Sequence, residues 1–250
     1  MDASARNGQD TPNRRRMVKE LLSLGALLTG GSAFSPILIA DDNPNATRSP
    51  IRNDARDFSV YPKNRKELNR EDIVMQRRDF SCGAAALATV FRYYWREPAN
   101  EDIFLRLIQA NLTLDDFRDR VRNGLTLTDL QNAADDVGYE AVIGTLTLAQ
   151  LEESLLPLIV GITVNEYDHF VVVRGVVRGY VYLADPIYGR VRTPADQFAE
   201  TWQENAILAV IKPGADPMKS SPLFVTDYEA SRGQLNNLVI RNQITGRLFP

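Results

Sequence analysis

The chain has one cysteine, Cys82, and one histidine, His169, in its 250 residues. A lone cysteine excludes an internal disulfide. One Cys with one His also excludes a zinc site of the usual Cys/His spacing. No phosphate-binding loop, dinucleotide-binding glycine fingerprint or internal repeat occurs, so neither a metal nor an organic cofactor is expected. An excess of basic charge is missing too. With 29 Lys and Arg against 32 Asp and Glu, the net charge is -3, which excludes an electrostatic grip on nucleic acid. What remains is 44% hydrophobic and 24% charged, an ordinary globular composition. The length suits one good-sized domain with extensions, or two small domains.

Four stretches follow one another. Residues 1–40 read as an export segment. A polar start leads to Arg14-Arg15-Arg16-Met17-Val18-Lys19 and then a mildly apolar run from Leu21 to Ala40. A basic cluster before an apolar run is the layout of a secretory signal, and the paired arginines resemble the twin-arginine motif. Cleavage is expected after Ala33 or Ala40. The expected location is therefore periplasmic or extracellular, with membrane contact only through this segment. The alternatives are a short uncleaved anchor and a cytoplasmic protein that does not use the leader. Residues 41–70, opened by Asp41-Asp42-Asn43-Pro44, lack sustained periodicity and are expected to be a linker or an arm over the domain. Residues 71–212 carry the globular pattern. Residues 213–250 form a more polar tail with some strand character near Val239-Ile240 and Phe249, to which no role is assigned.

Within 71–212 the spacing predicts helices over Ser81–Trp95 and Asn100–Ala110, and a third that Leu125-Thr126-Leu127-Thr128 leads into and that runs to about Val137. The last is capped by Thr126 or Thr128 and ended by Gly138. Strands are expected at Tyr139–Ile143, Leu158–Val164, Phe170–Val177, Tyr180–Ala184 and Ala206–Ile211. Short helices are expected at Leu148–Leu155 and Phe198–Trp202. Arg178-Gly179 reads as a hairpin turn. A helical first half followed by an antiparallel sheet makes the class α+β.

Cys82 falls at the predicted start of an alanine-rich helix, where unpaired N–H groups and the helix dipole favour an anion. The thiolate is the reactive form of cysteine. A buried, inert cysteine is the plainer reading of that position alone. Gln76, six residues upstream, is a candidate second donor to an oxyanion alongside the Cys82 N–H. If Arg178-Gly179 is a hairpin, its antiparallel arms bring His169 and Asp185 to the same end. There the carboxylate can accept one imidazole N–H and turn the other nitrogen to the thiol. A rim histidine and an ordinary turn aspartate before Pro186 are the plainer reading here. Asp168 is excluded as the orienting acid, because neighbours on a strand point to opposite faces. Asp135-Asp136 and Glu152-Glu153 read as solvated helix faces.

Three segments, Gln76-Arg77-Arg78-Asp79-Phe80-Ser81-Cys82-Gly83-Ala84-Ala85-Ala86-Leu87-Ala88, Asp168-His169-Phe170-Val171-Val172 and Ala184-Asp185-Pro186, resemble the double-glycine (bacteriocin-processing) cysteine peptidases. The resemblance covers roughly residues 71–212. It implies a papain-like fold with Cys82 as nucleophile, His169 as base, Asp185 as its orienting acid and Gln76 in the oxyanion hole. It further implies hydrolysis of a peptide or protein substrate after small residues. Many members of that family are fused to an ABC exporter. This chain shows no ATP-binding loop, so a stand-alone enzyme is expected. Gly30-Gly31 lacks the upstream pattern of the family's leader substrates and is read as coincidence. Two rival readings are a catalytically silent peptide-binding module of the same fold and a thiol amidase or transpeptidase.

Overall fold

Two hydrophobic periodicities, one helical and one strand-like, organise the described part of the chain. The computed structural model describes residues 49–53, 56–60 and 63–231. The expected export segment and the strand character near Val239-Ile240 and Phe249 lie outside these residues. The segment expected to be a linker or arm holds a two-stranded antiparallel hairpin, β1 (Ser49–Asn53) and β2 (Arg56–Val60), then helix α1 (Arg65–Arg70). An Asn64 side chain and Glu67 cap α1 reciprocally.

The helical half comprises α2 (Cys82–Thr89), α3 (Glu101–Asn111), α4 (Leu114–Asn123) and α5 (Leu127–Asp136). Asn100 caps α3 and Thr126 caps α5. The single helix expected over Ser81–Trp95 is interrupted. It becomes a π-helix over Val90–Tyr94, where the Trp95 N–H reaches the Val90 carbonyl five residues back. Helix α4 has no fully buried residue; Leu114, Phe117 and Val121 stand at helical spacing, but they are outnumbered by charged neighbours and the helix was not expected.

A six-stranded antiparallel sheet follows, formed by β3 (Glu140–Thr145), β4 (Leu158–Val164), β5 (Tyr167–Val177), β6 (Tyr180–Asp185), β7 (Gly189–Pro194) and β8 (Ala206–Ile211). Its spatial order is β3-β8-β4-β5-β6-β7. Helices α6 (Leu148–Glu152) and α7 (Ala195–Thr201) lie in the connections. Arg178 and Gly179 both take positive φ, 53° and 77°, so the expected hairpin turn forms, with the twist that suits antiparallel strands. Strand β7 was not expected. It is a polar edge strand whose two arginines hide the alternation.

Strand alternation splits the core in two. Ile159, Val172, Ala184 and Leu208 face the helices, packing under Leu87, Phe104, Ile108 and Leu130. Leu158, Val160, Val171, Val173, Val181 and Leu183 face the other way, under Phe198, Trp202 and Leu151. The helical half packed on an antiparallel sheet bears out the α+β expectation. Every residue of α2 is buried. Its small side chains let the helix axis approach the sheet. A Cβ at Gly83 would stand 3.0 Å from the Leu130 side chain and 3.1 Å from that of Phe170, so a larger residue there would have to push these neighbours aside.

The first part of the polar tail belongs to the folded body. Leu223 is buried in the helix-side core, Tyr94 Oη accepts the Met218 N–H at 3.0 Å, and Thr226 caps a helical turn through Glu229.

Candidate active site

The close approach allowed by Gly83 brings the first residue of α2 against β5. Cys82 Sγ accepts the Phe170 N–H at 3.5 Å. The register of β5 on β6 pairs Val172 with Ala184, and continuing it sets Val171 opposite Asp185. His169 lies two residues further on, on the same face as a diagonal neighbour, within reach of a long side chain. Its Nε2 stands 3.0 Å from Asp185 Oδ1. Cys82, His169 and Asp185 are each no more than 5% exposed.

Asp185 Oδ1 also accepts the N–H groups of Ile187 and Tyr188, at 2.7 and 3.0 Å. A carboxylate so placed only accepts, so Nε2 of His169 carries its proton and Nδ1 is left for the thiol. Nδ1 is buried and makes no hydrogen bond of regular geometry. The Cys82 thiol is nevertheless close enough to act on the ring. Burial disfavours the charge on His169 and is the largest single influence. Hydrogen bonds and charge from Asp185 and Cys82 together outweigh it and raise the imidazole from 6.5 to about 9.

Gln76 bridges two loops of the site. Its N–H donates to the Pro186 carbonyl, just past Asp185, and its side-chain amide donates to the Arg78 carbonyl on the way to Cys82, each at 3.0 Å. Its Oε1 is buried without a partner. One amide hydrogen is thus occupied along the loop, and the other is uncommitted. Asp168, set aside as the orienting acid, accepts from Thr163 and Gln203 away from the imidazole. Among the described residues, no three His, Cys, Asp or Glu side chains converge to hold a metal.

Three supports of the site escaped the sequence reading. Glu101, buried at the start of α3, accepts from the Ser81 hydroxyl and the Arg77 N–H, pinning the loop that ends at Cys82. Arg78 ties the same loop to Asp102 at 2.8 Å. Tyr167, two residues before His169, donates its hydroxyl to the Asp79 carbonyl at 2.7 Å. Strand alternation from His169 was the one signal that could have picked out Tyr167; nothing local marks Glu101.

The chain is similar to known proteases. A probable functional amyloid protease FapD from Pseudomonas aeruginosa is 33% identical over 159 residues, covering 64% of this chain and 68% of the relative. The protein of the same name from Pseudomonas fluorescens is 33% identical over 156 residues, covering 60% and 65%. A crystal structure of a double glycine motif protease from an AMS/PCAT transporter, in complex with the leader peptide, superposes with a TM-score of 0.46 at 25% identity. That match covers 56% of this chain and 90% of that one. Residues 70–214 match the Peptidase C39 family, a span that takes in α2 and the whole six-stranded sheet. The chain belongs to the Peptidase C39 family and is a cysteine peptidase.

Proposed function

We propose that Cys82 is the nucleophile, His169 the acid and base, and Asp185 the group that orients it, in an enzyme that cuts a peptide or protein after small residues. The observation that carries this is the imidazole held between the Asp185 carboxylate and the Cys82 thiol, with Nδ1 unsatisfied. The thiol proton passes to His169 Nδ1, and Sγ adds to the scissile carbonyl carbon. The resulting oxyanion is met by the Cys82 N–H at the helix start and by the free amide hydrogen of Gln76. The imidazolium then gives its proton to the leaving nitrogen as the C–N bond breaks, which leaves a thioester. Water, deprotonated by His169, attacks that thioester. The acid product leaves and the thiol is restored.

The preference for small residues rests on the resemblance to double-glycine peptidases and on a site whose three polar groups are nearly buried. The name of the two Pseudomonas relatives supports a component of a functional amyloid as one candidate substrate class. The Arg14-Arg15 cluster and the apolar run after it support action outside the cytoplasm. Residues 1–40 fused to a reporter should send it across the inner membrane, and Arg14→Lys with Arg15→Lys should hold it back. A reporter that stays in the cytoplasm in both cases would remove the export reading.

Incubating the wild type and Cys82→Ala with exported peptides containing Gly-Gly, and locating the cuts by mass spectrometry, tests the chemistry. The wild type should cut after glycine and the variant should not. Equal cutting by the two proteins would overturn the assignment of the nucleophile.

A further inference from the structure

The turn Asn165-Glu166, with φ of 51° and 63°, reverses β4 into β5 and presents Tyr167 on the face that carries His169. The two rings are 6.0 Å apart, centroid to centroid, inclined by 32°. From there the Tyr167 hydroxyl reaches the Asp79 carbonyl, 2.7 Å away and three residues ahead of Cys82. The side chain therefore spans from the strand that holds the imidazole to the loop that holds the thiol. The phenol's pKa is raised, by burial first and then by the charges of Cys82 and Asp79, which agrees with a ring lying beside the thiol. Yet Tyr167 remains 45% exposed, so one side of it faces the solvent from which a substrate arrives.

A core tyrosine does not look like this. A packed ring would be covered, and a surface ring would not be tied by its tip to a loop 88 residues away in the chain. We propose that Tyr167 is a specificity-determining wall of the cleft on the acyl side of the scissile bond, held upright by its bond to Asp79. Beside such a wall a glycine before the cut passes freely, while a branched aliphatic side chain meets the ring. This role rests on the small-residue reading above and gives it a residue. Tyr167 does not take part in proton transfer.

The test measures kcat/KM on three peptide series in the wild type, Tyr167→Ala and Tyr167→Phe. Glycine is changed to leucine at the residue before the cut, at the one before that, and at the residue after the cut. In Tyr167→Ala the wild-type preference for glycine should fall at least about tenfold at one of the two positions before the cut and stay as it was after it. Tyr167→Phe keeps the ring but frees it from Asp79, so its preference should fall by about threefold. It also keeps the test open should Tyr167→Ala fail to fold by circular dichroism. A wild type that ignores residue size, or cuts none of the series, overturns the small-residue reading and this role with it. A selective wild type with an equally selective Tyr167→Ala overturns the wall alone. Relaxation confined to the residue after the cut overturns its acyl-side placement, and an unchanged Tyr167→Phe overturns the tie to Asp79.

Discussion

Strand β5 carries two buried basic side chains five residues apart, and they are satisfied to different extents. Every nitrogen of the Arg174 guanidinium donates a hydrogen bond. Nη1 and Nη2 donate to the two Glu229 oxygens at 2.6 and 2.8 Å, Nε donates to the Leu223 carbonyl at 2.9 Å, and Nη2 also reaches the Phe224 carbonyl. His169 is held on one side only. Asp185 fixes Nε2, and Nδ1 is left beside a thiol with no regular hydrogen bond. Both residues take a carboxylate from another part of the chain, yet the first pairing closes a structure and the second leaves a valence open. A group bonded at every nitrogen latches Leu223, Phe224 and Glu229 to the sheet. A group matched by half is oriented and still able to move a proton.

The two pairs also respond to pH in opposite directions. Burial disfavours the Glu229 charge, but Arg174 overcomes this and holds the carboxyl below its ordinary 4.5. Its contribution is complete above that value and is lost as pH falls through the lowered one. His169 is raised from 6.5 to about 9, so the folded state binds more protons than the unfolded state in between. Its contribution is complete below 6.5 and is lost as pH rises through about 9.

The largest way to break the contrast is His169→Ala, which should cost on the order of 10⁴ in kcat/KM and leave cooperative unfolding intact. Loss of the fold instead of the activity would put His169 in the same class as Arg174. Arg174→Ala should do the reverse. It leaves Glu229 with only Arg190, 3.7 Å away, and strands two carbonyls, so it should lower the unfolding free energy by about 3 kcal/mol in urea titrations without moving the alkaline limb of the activity profile. Asp185→Asn sharpens the comparison within the site. Activity should fall by about 10²-fold, at the low end of what general acid–base assistance contributes. Asp185 is the foremost influence raising the imidazole, so the alkaline limb should move down from about 9 toward 6.5. A limb that stays in place would separate His169 from the observed profile. The smallest effect is on melting temperature, which should decline between pH 6.5 and 9 in the wild type and decline less steeply in His169→Ala.

How much of this was legible in the chain depends on the kind of signal each part leaves. Strands Leu158–Val164 and Ala206–Ile211 form with the expected bounds, because both are apolar runs between turn residues. The caps Asn100 and Thr126 mark the starts of α3 and α5, where the side chain meets a free N–H three residues on. Helix α4 was passed over although Leu114, Phe117 and Val121 have helical spacing, because charged residues crowd them, and strand β7 was hidden by its two arginines. The end of α2 was misread because the shift to a π-helix depends on how Val90, Phe91 and Tyr94 pack, not on propensity. The folded part of the tail was missed for a related reason: Arg174 and Glu229 are 55 residues apart and neither looks unusual alone.

The order of a lone cysteine, a lone histidine and an aspartate, with a hairpin turn between the last two, was set by the sequence itself. Local rules act there: a helix start before small residues, and a two-residue turn whose arms must meet. That Nε2 goes to Asp185, that Glu101 pins the loop of Cys82, and that Tyr167 reaches Asp79 was decided only by the tertiary structure. Each joins segments at least 16 residues apart, and the bonding geometry between such segments follows from packing density and register, which no local pattern encodes.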